Sequence, residues 1–148
     1  MNKKEFVEIV KSLSFPKDKF CIIAGGSYLM YGLKNDTEDI DLKIKPELFN
    51  KLKEKYNLVK STKMENLYEF SNNIELKVED FDLNDIEVID GFNVLKLEIQ
   101  RKWIIENKRE KDKEKLKLID EYLSTKDWCM WIKLEIEEKI GQDILLKD

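Results

Sequence analysis

The sequence predicts an α+β protein, a small mixed β-sheet with flanking helices followed by a helical C-terminal third. Three patterns predict it. Short β-favouring apolar runs alternate with helix-period segments up to about residue 95. The segment Asp39-Ile40-Asp41-Leu42-Lys43-Ile44 alternates strictly between polar and apolar residues. From Leu95 onward apolar residues recur almost entirely at offsets of three and four.

The elements follow in order. Phe6, Ile9, Val10 and Leu13 share one helical face, so a short helix opens the chain, and Pro16 cannot continue it. Phe20-Cys21-Ile22-Ile23-Ala24 is apolar, β-favouring and short enough to be a buried strand. Gly25-Gly26-Ser27 breaks that strand, Ser27 is placed to cap a helix starting at Tyr28, and Gly32 closes that helix after barely two turns. In the alternating segment Ile40, Leu42 and Ile44 face a core, and Asp39, Asp41 and Lys43 share the other face. Pro46 is expected in the first turn of a helix carrying Leu48, Phe49, Leu52 and Tyr56. Strands are expected at 58–60, 67–70 and 74–78, with Asn72-Asn73 as a hairpin turn, and a further apolar run at 86–89 ends at Asp90-Gly91. Leu95, Ile99 and Trp103 then mark one helix, Leu116, Ile119 and Leu123 a second, and Trp128, Ile132, Ile136 and Ile140 a third. No repeat or Pro/Gly-rich linker interrupts the 148 residues, which are expected to form a single domain, 1–148, with a core at about 20–123 and a helical extension at about 124–148.

Composition narrows the chemistry. Charged residues make up 39% of the chain, but 27 Lys+Arg nearly balance 31 Asp+Glu, and 10% aromatics supply a core that a disordered chain lacks. The absence of histidine excludes Ser-His and Cys-His nucleophiles, histidine bases and imidazole-built zinc sites. Catalysis in this chain must run on carboxylates, lysines and backbone amides. The two cysteines, Cys21 and Cys129, lie far apart and do not form a disulfide framework, and no apolar run reaches the ~20 residues of a membrane span, so a cytoplasmic protein without membrane contact is expected. Lys96 to Lys117 holds nine Lys/Arg against five Asp/Glu, a local basic patch on an acidic chain.

The chemistry-bearing stretch is Ala24-Gly25-Gly26-Ser27 together with Asp39-Ile40-Asp41. A strand ending in small residues lets backbone N–H groups approach a ligand, and the helix start beyond it favours an anion, so the turn reads as a phosphate cradle. Two carboxylates on one strand face, roughly 6.5 to 7 Å apart at Cα, can converge on magnesium ions. Each half alone is more often a tight turn or a solvated face.

In this order and spacing the residues resemble the polymerase-β-type nucleotidyltransferase superfamily, whose members show Gly-Gly-Ser, a short helix and an Asp-x-Asp strand. Gly25 to Leu33 followed by Thr37-Glu38-Asp39-Ile40-Asp41-Leu42 is similar to its small bacterial branch of AbiEii-like toxins and minimal nucleotidyltransferases. Arg109-Glu110-Lys111-Asp112 leading to Leu118 to Leu123 is similar to the R-x-K-D helix of that branch. The resemblance covers roughly residues 20–123.

It implies the nucleotidyltransferase fold, two Mg²⁺ ions held by Asp39, Asp41 and a third acid, and transfer of a nucleoside monophosphate from an NTP such as ATP. It implies that Gly25, Gly26 and Ser27 hold the phosphates and that Lys102 reaches the triphosphate, although a solvated Lys102 is an equal reading. Glu75, on the polar face of the strand Ile74 to Val78, is the choice for the third carboxylate and base, with Glu79 and Asp80 open. Arg109, Lys111 and Asp112 read as structural, Asp112 pairing with a neighbouring cation near a helix start. Trp128 and Trp131 stack a base or, more often for such spacing, sit in a core. The implied acceptor is a tRNA end, a protein hydroxyl or a small molecule. The rival expectation is a non-catalytic nucleotide-binding protein or a toxin-antitoxin partner on the same fold.

Overall fold

The computed structural model describes the backbone of residues 1–146 and their side chains except those of 127–131, 133 and 141–146, so Trp128, Cys129 and Trp131 lie outside the described side chains. The elements run α1 (Lys3–Ser12), β1 (Phe20–Ile23), α2 (Ala24–Met30), β2 (Ile40–Ile44), α3 (Pro46–Lys55), β3 (Val59–Lys60), β4 (Leu67–Ser71), β5 (Ile74–Val78), β6 (Ile86–Ile89), β7 (Phe92–Leu95), α4 (Leu97–Asn107) and α5 (Lys113–Leu146). The protein is α+β. Its contacts cluster into two compact units, Met1–Gln100 and Arg101–Asp148.

The first unit holds one seven-stranded sheet in the order β3-β4-β5-β2-β1-β7-β6. β1 is antiparallel to β2 and parallel to β7, and β2 is parallel to β5. Hairpins complete the edges. One sheet face buries Ile22, Leu42, Ile44, Leu76 and Val94 against Phe6 and Val10 of α1, Leu29 and Met30 of α2, and Leu48 and Leu52 of α3. Toward the β6 edge the opposite face carries a smaller cluster of Cys21, Phe81, Ile86 and Leu95, with Ile23 and Ile99 against it. The alternation of β2 thus holds, with Ile40, Leu42 and Ile44 buried and Asp41 and Lys43 on the other face.

Four expectations are corrected. Ser27 does not cap α2: the helix starts three residues earlier at Ala24, with Ile23 at its N-cap, and Ser27 lies one turn inside. Glycine's low helix propensity is overridden here by packing, because a Cβ on Gly26 would stand 2.3 Å from Phe6 Cζ and only a glycine lets α2 lie against α1. The stretch Phe92 to Leu95 is a strand, paired antiparallel to β6 around Asp90-Gly91, both with positive φ (51° and 82°) as a two-residue hairpin turn requires. Beyond it, the expected second and third helices are one continuous α5. Tyr56 caps α3 instead of lying on it, and meets Phe70 edge-on at 5.0 Å.

The second unit comprises the rest of α4, a 3-10 turn at Glu110–Asp112 and α5. Arg101 Nε donates to Asp120 Oδ1 at 2.5 Å, and Arg109 donates to both carboxylate oxygens of Asp112, at 2.7 and 3.2 Å, while its guanidinium lies 4.7 Å from the Trp103 ring centroid. Among the described residues no helix is long and apolar enough to cross a membrane.

Candidate functional site

Register, more than any single motif, builds the site. Ile23, the last residue of β1, pairs with Asp41, and Asp41 pairs in turn with Glu75 on the parallel neighbour β5. Ile40, Leu42, Ile74 and Leu76 are buried in the core, so period-two alternation places Asp41 and Glu75 side by side on the face opposite it. The chain leaves β1 beside this pair and turns through Ala24, whose φ of 54° is a left-handed conformation rarely adopted by a residue with a Cβ. Asp39 is exposed and sits one residue before β2.

Two further acids nearby are paired with lysines. Glu79 bridges Lys43 (3.7 Å) and Lys77 (3.3 Å), themselves register neighbours, and Asp80 lies 3.6 Å from Lys45. Glu75 lies 3.3 Å from Lys63 Nζ. Of the three acids weighed as a third carboxylate, Glu75 alone is the register partner of Asp41. Among the described residues no three His, Cys, Asp or Glu side chains converge as a cation site. A donor set of carboxylate oxygens with no imidazole or thiol still suits Mg²⁺, which keeps several waters and is commonly held by one or two carboxylates plus substrate phosphates.

The glycine turn is more enclosed than a free cradle. A Cβ on Gly25 would meet Thr37 Oγ1 at 2.6 Å, and Gly26 is fitted to Phe6. Ser27 is fully buried: its hydroxyl donates to Ala24 O at 2.6 Å and lies 2.9 Å from Gln100 Nε2, which also donates to Leu95 O at 3.1 Å. The hydroxyl is therefore committed inside the protein, and the groups the turn can offer an anion are backbone amides of the first turn of α2, which lack partners within the helix. Gln100, which ties the turn to the end of β7, and Lys63, at the acids, were missed by sequence reasoning. Neither lies in a recognisable motif, and only the alignment of β2 with β5 and of β1 with β7 brings them to these places.

Lys102 is exposed and belongs to the second unit, as do Arg109, Lys111 and Asp112. Asp112 is only 1% exposed; burial pushes its carboxyl up, but the hydrogen bonds and charge of Arg109, with Lys115 at 3.4 Å, outweigh this and hold it below the ordinary carboxylate range. Its role within that unit is structural.

The fold and the acidic pair define a class, a mixed-sheet α+β protein with paired carboxylates on its central strands, on the face opposite the main core. Compared with protein-family models, curated proteins and solved structures, the chain matches none.

Proposed function

We propose that this protein is a Mg²⁺-dependent nucleotidyltransferase of the cytoplasm, which transfers a nucleoside monophosphate from an NTP to a hydroxyl of an RNA such as a tRNA, of a protein or of a small molecule, with release of pyrophosphate. The observation that carries this is the register Ile23–Asp41–Glu75, which sets two carboxylates side by side where β1 leaves the sheet into Gly25-Gly26. Asp41 and Glu75, with Asp39 at the strand entrance, are the acids that would hold two Mg²⁺ ions. Bound there, the metal supplies charge neutralisation at the attacking and leaving oxygens. The backbone amides at Gly25, with the buried Gly26 behind it, would orient the phosphates, and Glu75 would accept the proton of the acceptor hydroxyl.

The second reading, a nucleotide-binding or toxin-antitoxin partner protein that does not turn over, is favoured by one feature: the Ser27 hydroxyl is buried and bonded internally. Transfer of label separates the two. The protein is incubated in a cell extract with Mg²⁺ and each NTP labelled in its α-phosphate, and label is followed into RNA, protein and small molecules. Transfer that falls by at least a hundredfold in Asp41→Asn and Glu75→Gln, with folding intact by circular dichroism, is expected. Nucleotide binding without transfer supports the second reading, and undiminished transfer by Asp41→Asn overturns the metal mechanism.

A further inference from the structure

The connection between β3 and β4 forms an open hollow of about 620 Å³ lined by Lys60, Ser61, Thr62, Lys63, Met64 and Glu65. Its backbone is anchored: Ser61 N donates to Leu67 O at 2.8 Å, and the largely buried Ser61 accepts from Lys63 N through its hydroxyl at 3.2 Å. From this fixed stretch the Lys63 side chain, 72% exposed, reaches Glu75 Oε1 at 3.3 Å. The register partner of Asp41 thus has a lysine counter-ion that also lines the hollow, together with Lys60, Ser61, Thr62 and one carboxylate, Glu65.

Two carboxylates facing each other across adjacent strands repel, and a nearby ammonium lowers that repulsion. An ion pair whose lysine is this exposed is weak and exchanges readily. A compact divalent ion at the same carboxylates competes with the ammonium by charge. Two lysines and two hydroxyls around a hollow, set against the single carboxylate of Glu65, are in turn suited to phosphate oxygens.

We propose that Lys63 is an exchangeable counter-ion: it neutralises Glu75 when no divalent cation is bound and, once displaced, holds a phosphate group of the bound nucleotide in the hollow lined by Lys60 to Glu65. The proposal rests on the nucleotidyltransferase reading of Asp41 and Glu75 and adds to it the loop that takes the phosphate.

Binding measurements on the full chain test it without reference to turnover. Mn²⁺ binding is followed by its paramagnetic resonance in the unmodified protein, Lys63→Ala, Lys63→Arg and Asp41→Asn, and inorganic tripolyphosphate is then titrated at saturating Mn²⁺. Lys63→Ala is expected to bind Mn²⁺ alone about two- to fivefold more tightly and tripolyphosphate at least threefold more weakly, with Lys63→Arg close to the unmodified protein. If Asp41→Asn loses Mn²⁺ but either change in Lys63→Ala is absent, the exchange is overturned and the acidic site stands. If Mn²⁺ binds neither protein, or binds Asp41→Asn as well as the unmodified chain, the acidic site fails and the exchange falls with it.

Discussion

Gly26 would carry a Cβ 2.3 Å from Phe6 Cζ and 2.6 Å from Phe6 Cε2, inside a packed core whose rings cannot retreat freely. Gly26→Ala is therefore expected to cost about 1–3 kcal/mol of stability by urea unfolding, with part of the loss recovered in the double variant carrying Phe6→Leu. A defect in nucleotide binding alone, with stability unchanged, would contradict this packing role. The sequence marks Gly26 as a small residue that lets a phosphate approach, and does not reveal its packing role, because Phe6 lies on a separate helix. Asp41 was legible from the strict alternation of β2, a local pattern. Glu75 was legible only as one of several acids on a strand face, since its alignment with Asp41 depends on β2 and β5 pairing in parallel across α3 and the β3–β4 hairpin.

At the scale of elements, the hairpin between β6 and β7 separates two uses of glycine. Gly91 has a φ of 82°, and an added Cβ would meet only Lys17 Nζ at 3.5 Å, so space is available and the backbone conformation alone is the obstacle. Gly91→Ala is expected to cost about 1–2 kcal/mol, and a spacious core substitution such as that tested at Gly26 offers no rescue. β7 escaped the sequence reading because Phe92, Val94 and Leu95 merge with the apolar residues that open α4, although Asp90-Gly91 is a strong hairpin signal. The start of α5 provides a test by pH. With its carboxyl held below its unfolded value, near 3.9, Asp112 adds stability that is complete above that value and is lost as pH falls through the lower folded one. Asp112→Asn should lower stability by about 1.5–3 kcal/mol at pH 7, and the difference from the unmodified protein should shrink progressively below about pH 4. Urea titrations followed by helical circular dichroism from pH 7 to pH 2 check the sign, and a difference that grows on acidification would refute it.

For the whole molecule, Cys21 reports on the sheet. It is fully buried on central strand β1, and burial pushes its thiol up to about 12, so both access and ionisation suppress its reactivity. In a Cys129→Ser background, a thiol reagent at pH 8 should modify Cys21 at least about a thousandfold more slowly than in urea-unfolded protein, with rates that rise along the global unfolding curve. Rapid modification in native buffer would show that β1 opens locally.

The pairing of β1 with β7 also has a temporal side. Ile22 and Val94 are adjacent in space but about 70 residues apart along the chain, so the middle of the sheet closes only after a long loop is captured. During synthesis β1 emerges from the ribosome well before its parallel neighbour exists, and α1, which is closed at its start by the reciprocal Asn2–Glu5 cap, is among the few elements able to form early from local contacts. A nascent chain stalled before β7 has left the exit tunnel would expose the edge of β1 that β7 later covers, an unpaired row of backbone donors and acceptors open to another chain.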